Sequence, residues 1–249
     1  MSKVKSLFQE ALLLERSIPG VVSALFILSI VAMNLLANKS INLSLDWLAL
    51  DCGVIFSWLV FLLMDMVTKH FGPRAATMLS VIALAVNLFM ALMFFAASLI
   101  PGTWGESYVP GSENVINYAL DHTFRGTWYV LLGSSIAFIV SSIVNNELNW
   151  LLGRLSKNEK SFGTFAFRSY ISTFIAQFVD NLVFALIVSH NFFGWSMTQC
   201  VMCALTGAVI ELICEIVFSP IGFRIARRWR NKEVGKEYIS FIKAKGGRI

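Results

Sequence analysis

The chain has 249 residues, of which 57% are hydrophobic and only 14% charged, and it includes 21 Phe and 7 Trp. A soluble domain would carry about 25% charged residues, so an ordinary water-soluble protein is excluded and a membrane-embedded one is expected. The formal net charge of +5 comes mostly from the C-terminal tail and says little about a substrate.

Apolar runs long enough to cross about 30 Å of hydrocarbon recur along the chain. They predict helices over 18–37, 47–68, 74–100, 125–146, 164–188 and 197–223. The first is too long for a signal peptide, and no A-x-A-like cleavage site follows it before Asn38-Lys39. The second has Asp46 and Asp51 at its start and Asp65 near its end. Between the third and fourth, residues 101–124 form the one sizeable connection on the outer side. There Ser112-Glu113 and the VINYAL run predict a capped interfacial helix, with Trp104, Tyr108 and Tyr118 at headgroup level. An interfacial anchor suits this segment better than a mobile lid.

Basic residues cluster in alternate connections: Lys3, Lys5 and Arg16; Lys69 and Arg74; Arg154, Lys157 and Lys160; then the tail from Arg224 onward. The remaining connections hold Lys39, with Arg125 at a helix boundary. The positive-inside rule then places both termini in the cytoplasm, which requires an even number of spans. The expectation is a cytoplasmic N-terminal segment over 1–17, a six-helix transmembrane domain over 18–223 and a basic cytoplasmic tail over 224–249. The tail begins with RIARRWR at a helix end, where snorkelling and anionic-lipid contact are expected, so membrane lipids rather than nucleic acid are its partners.

Cys200-x-x-Cys203 resembles half of a zinc or redox site but lacks a second ligand pair, and packing thiols are expected. The histidines, His70, His122 and His190, fall in separate connections under this assignment. No metal, cofactor or nucleotide-binding glycine loop is predicted, and an intramembrane enzyme would lack its base.

What the composition leaves unexplained is a set of ionisable residues inside the spans, each costing roughly 2.5 to 3.5 kcal/mol at a bilayer centre. The stretch RSYISTFIAQFVDNLVF, residues 168–184, carries Arg168, Gln177, Asp180 and Asn181. Arg168 and Asp180 stand about 18 Å apart along the helix and cannot pair within it. Ser169, Thr173, Ala176, Gln177 and Asp180 form one polar stripe at helical spacing. In the last span Glu211 and Glu215 are four apart and share a face. Two such acids need a partner, for which Arg168 or a bound ligand would serve. Arg168 could equally pair with Glu215 or Asp65 in a structural network, or snorkel. Asn34, Asn38 and Asn87 carry less, since a single amide often bridges helices.

The order of these residues resembles the queuosine precursor transporters, also known as the vitamin-uptake-transporter-like or VUT family. The marks are Asn38-Lys39, Gly53, Asp65-x-x-Thr68 with Gly72, and Arg125 ahead of Gly133-Ser134-x-x-Ala137-Phe138. Most specific is Arg168-x-x-x-Ser172-Thr173-x-x-x-Gln177-x-x-Asp180-x-x-x-Phe184. The resemblance implies uptake of 7-deazaguanine precursors of queuosine, preQ0 and preQ1, across the bacterial inner membrane. It also implies an all-α fold like the substrate-binding subunits of energy-coupling-factor importers. Lys69 stands where the family usually has Glu, and Glu211, nine residues before Pro220, where it usually has Lys.

A guanine-like base presents adjacent N–H donors that a carboxylate can accept, and an amide can serve its carbonyl. The expected ligand-binding set is therefore Gln177, Asp180, Asn181, Glu211, Glu215 and Arg168. Asp65, Asn38 and Arg125 are further candidates, and Trp58, Trp128 or Phe184 could cover the base. A substrate-binding subunit of a multi-component importer is the alternative, although no AxxxA ridge appears in the first or third helix. A homo-oligomer and an external energising module both stay open as partners.

Overall fold

The computed structural model describes residues 3–41, 43–105, 109–155 and 162–246, and these are almost wholly helical. Helix α1 (Lys3–Ser17) is followed at once by α2 (Gly20–Leu36). Pro19 separates them, because its ring removes an N–H and drives the preceding Ile18 out of helical geometry. The two axes meet at 109°. Next come two short antiparallel strands, β1 (Ser40–Ile41) and β2 (Leu50–Asp51), with Ser40 opposite Asp51 and Ile41 opposite Leu50.

Helix α3 (Val54–Phe71) therefore starts later than the predicted 47–68. Residues 47–53 form the second strand and its turn instead, and strands this short leave no alternating pattern to read. Gly72, at φ 89°, ends α3, and Pro73 opens α4 (Pro73–Ala97) where its missing N–H is not needed.

Helix α5 (Glu113–Leu155) begins directly after Ser112 as expected, but it is one continuous helix of 43 residues. The VINYAL segment is thus the first part of the spanning helix rather than a separate interfacial one. Nothing in the sequence from 113 to 124 breaks a helix. Trp104 is fixed to this extension. Its indole N–H donates to Asp121 Oδ1 at 2.9 Å and its backbone N–H to Asn117 Oδ1 at 2.8 Å. Tyr108 lies outside the described residues.

Helix α6 (Phe162–Phe184) passes into a π-helical segment (Ala185–His190), a short α7 (Asn191–Phe193) and then α8 (Met197–Asn231). The RIARRWR segment continues α8 eight residues beyond the predicted end at 223. Polar residues end an apolar run, but Arg is a good helix former. Helix α9 (Lys236–Ala244) closes the chain.

Among the described residues five helices are long and apolar enough to cross a membrane, and a sixth crossing is made if α1 and α2 are counted together. The fold is thus an all-helical membrane protein. Two compact units are distinguished: one of Met1–Ala32, Phe56–Asn87 and Cys214–Ile249, the other of Met33–Ile55 and Leu88–Ile213.

The core of the first unit joins Leu14, Phe26, Phe71, Leu79, Trp229, Tyr238 and Ile242. Here α9 packs on α1. The fully buried Glu10 carboxylate accepts both Arg74 N–H groups, at 2.5 and 2.8 Å, and Lys245 Nζ at 3.4 Å. His70 meets the Val234 carbonyl at 2.8 Å. The second unit has two smaller apolar clusters, one around Ala185, Trp195, Cys200 and Cys203, the other around Ala37, Val130 and Val188. Gly133 lets α5 approach the π-helical segment, since a Cβ there would stand 2.3 Å from Val188 Cγ2.

Candidate functional site

In the second unit, α5, α6 and α8 bring polar side chains together. Asp180, on α6, accepts the Ser141 hydroxyl from α5 at 2.7 Å, while that oxygen also lies 3.2 Å from the Phe138 carbonyl. The next residue, Asn181, points its Nδ2 at Glu211 Oε2 of α8, 3.3 Å away. Glu211 is only 2% exposed. Directly across from Asn181 is Gly207, where a Cβ would sit 2.8 Å from Nδ2. A larger residue there would require the amide to move.

Gln177 lies one turn before this group on α6, and its side chain is 1% exposed. Neither its Oε1 nor its Nε2 has a hydrogen-bond partner among the described residues. A buried amide group left unsatisfied costs about 1–3 kcal/mol, so an amide with both ends bare is a costly feature for a fold to keep. It offers one donor and one acceptor side by side to anything that enters. The centre of α6's buried face lies at Ser172, Ala176 and Gln177 rather than at Thr173, which is half-buried, and Ser169's side chain lies outside the described residues. Beyond Phe184 the winding loosens to π, so the polar stripe does not continue at the same angle.

The short strands carry a further acid. Asp51 Oδ1 accepts the Gly53 N–H at 2.7 Å, and a Cβ on Gly53 would collide with that oxygen and with the Met33 carbonyl. Burial pushes the Asp51 carboxyl up to about 6 against the lowering effect of that N–H. Cys203 lies within electrostatic reach of both Asp51 and Glu211. Cys200, in the same apolar cluster, donates to the Ala185 carbonyl at 3.5 Å. Both thiols are packed among Ala49, Leu50 and Trp195, in keeping with a packing role.

The other expected residues are distributed as follows. Glu215 and Asp65 belong to the first unit, where Asp65 pairs with Lys69 at 4.0 Å. Trp58 is in that unit too, stacked on Phe218 with ring centroids 4.6 Å apart. Asn38 donates to the Leu35 and Asn34 carbonyls at 3.1 and 3.4 Å, closing the C-terminus of α2. Arg125 reaches the Ser98 carbonyl at 3.4 Å and so ties α5 to the end of α4. Trp128 is exposed at the helix surface, whereas Phe184 packs beside Val130 and Val188. Arg168 is in α6, but its side chain lies outside the described residues, as does any pairing it makes.

Two features escaped the sequence. Ser141 is one serine in an apolar helix, 39 residues from its partner, and Gly207 one glycine in a run of small residues. The histidines need correction. All three lie in helices rather than connections, because the helices extend past the apolar runs. Each ring meets a backbone carbonyl: His70 that of Val234, His122 that of Tyr118 at 2.9 Å and His190 that of Trp195 at 2.6 Å. None is paired with a nucleophile among the described residues.

No curated protein and no solved structure matches the chain. A family model described as "Putative vitamin uptake transporter" does match, over residues 51–225. That stretch runs from Asp51 on β2 to Ile225 near the end of α8, includes Gln177, Asp180, Asn181 and Glu211, and covers well over half of the protein, which therefore belongs to this family.

Proposed function

We propose that the protein imports a 7-deazaguanine precursor of queuosine, preQ0 or preQ1, or a similar purine-like base, across the bacterial inner membrane. The observation that carries this reading is the buried Gln177 amide, bare at both ends and one turn from Asp180 and Asn181. A base with a carbonyl beside a ring N–H satisfies both ends of such an amide. Glu211, held by the Asn181 amide, places a buried acid beside this group. The polar cluster thus serves a solute too polar to cross the bilayer alone.

The reading includes six spans with both termini cytoplasmic. Support comes from α1 and α9, which pack together at Glu10 and Lys245. Helices on either side of the whole set of crossings can touch only if the number of crossings is even. Counting the bent pair of α1 and α2 as one crossing beside the five longer helices gives six. The basic residues of the loops put that shared end inside.

Labelled preQ0 and preQ1 uptake by cells unable to make queuosine precursors, with and without this protein, tests the reading. Import should depend on the protein, guanine-type bases should compete, and adenine, which lacks the carbonyl and the ring N–H beside it, should not. Equal competition by adenine would refute the recognition scheme.

A further inference from the structure

A second acidic pair lies in the first unit. Glu215, on α8, is 8% exposed, and its Oε2 has no hydrogen-bond partner among the described residues. Its face of α8, shared with Phe218 and Gly222, packs on α3, where Trp58 stacks on Phe218 and Leu62 and Met66 lie against Gly222; the same face of α3 carries Asp65 and Lys69 in its last two turns. Lys69 is already engaged, 4.0 Å from Asp65 Oδ2 and four residues along the same helix. One ammonium therefore faces two carboxyl groups. Asp65 and Lys69 are half-buried, whereas Glu215 is enclosed.

We propose that Glu215 and Asp65 form a proton-binding site, and that the protein couples import to proton entry through it. Two acids on facing helix surfaces that share one cation are hard to ionise together in a medium of low dielectric constant. In the loaded state Asp65 stays ionised against Lys69 and Glu215 is the neutral acid. The cluster then carries no net charge, and release of the proton leaves it with one negative charge. An enclosed carboxylate with a bare oxygen is poorly solvated, whereas the neutral acid is tolerated. A sodium ion fits less well. It would need several oxygen ligands, while the Lys69 ammonium beside Asp65 repels a metal cation. Glu215 also shares α8 with Glu211, four residues away, so one helix carries both the proton site and a residue of the proposed recognition cluster.

The inference rests on the import reading only for its cargo, and the test separates the two. Infrared difference spectra of the purified full-length protein should show a protonated-carboxyl band at neutral pH. Glu215→Gln should remove that band, and Lys69→Gln should shift its titration to higher pH, because loss of the cation favours the proton. These readouts need no substrate. Their failure sinks the proton site even if preQ0 is transported. In liposomes an inward proton gradient should drive labelled preQ0 accumulation by the wild-type protein. Glu215→Gln should lose accumulation at least tenfold while still exchanging internal for external preQ0. Accumulation driven by a sodium gradient, or undiminished in Glu215→Gln, would overturn the proposal. Should Glu215→Gln fail to fold, Asp65→Asn replaces it, with loss of gradient-driven accumulation expected and unchanged accumulation refuting.

Discussion

Replacing Gln177 by Met should stabilise the ligand-free protein and abolish its response to the base. Methionine keeps the unbranched shape and nearly the same helix propensity, so packing is little disturbed. The change removes two buried polar groups that lack partners among the described residues. At about 1–3 kcal/mol each, with part of the cost relieved by relaxation, a gain of about 2 kcal/mol is expected. For a protein of this size that corresponds to a rise in Tm of about 4–8 °C. Ligand acts in the opposite direction. With preQ0 at 100 times Kd, the wild type gains about 2.7 kcal/mol. If the lost pairing weakens binding about 100-fold, Gln177→Met gains only about 0.4 kcal/mol at the same concentration. Thermal unfolding of the detergent-purified protein with and without preQ0 measures both. Lower stability without ligand, or an undiminished shift with it, would refute the assignment of Gln177 as the reading group.

Three further outcomes follow from the same geometry. Gly207→Ala would place a methyl 2.8 Å from Asn181 Nδ2 and force the amide off Glu211, so preQ0 uptake should fall about 10- to 100-fold; normal uptake would show that the contact is idle. Asp51 holds its proton up to about pH 6 when folded, against 3.8 for the free side chain, so it favours the folded segment below pH 3.8 and loses that contribution as pH rises to about 6. Hydrogen exchange around residues 40–53 should therefore quicken between pH 4 and 6, after correction for intrinsic rates, and Asp51→Asn should flatten the change; an unaltered profile in that variant counts against it. Reporter fusions after residues 110 and 193 should read outside and those after 158 and 235 cytoplasmic, and an outside signal at 235 would break the six-span assignment.

How much of this was legible in the sequence depended on which physical quantity each residue reports. Hydropathy located the crossings, since α4 and α8 follow their apolar runs closely at the membrane-embedded end. It misplaced boundaries wherever a helix outlasts its apolar run, as at Asn114–Phe124 and Arg224–Asn231. It also misread residues 47–53, where WLALDCG continues the apolar character of α3 while the backbone forms a strand and a turn. Charge placement suggested an even number of spans, and the packing of α9 on α1 supports the same parity by independent means. The acids of the cluster were legible because a carboxylate inside a span is costly wherever it sits. Their partners were not, because nothing local links Ser141 to Asp180 or Gly207 to Asn181.

The partners also change which residue is the strongest candidate to read a ligand. On sequence alone Asp180 and Glu211 are the natural recognition groups, because each is a deep acid without a visible cation. In the folded protein Ser141 donates to Asp180 and Asn181 to Glu211, so each carboxylate already has one oxygen held by a neighbour. Gln177 has no such support, and it is the most enclosed of these side chains. A carboxylate already held by a neutral donor has part of its hydrogen-bonding capacity committed, so the amide is the group with most left to offer a ligand. Asn181 is the link in this arrangement. It packs against Gly207, and its donor holds one oxygen of Glu211. A neutral base edge would then be read by Gln177. An aminomethyl cation such as that of preQ1 would be drawn toward the carboxylates, while the nitrile of preQ0 would gain nothing from them. Removing the Glu211 charge by Glu211→Gln should consequently weaken preQ1 uptake more than preQ0 uptake, measured side by side in the same cells. Equal losses for the two precursors would mean that Glu211 contributes structure alone.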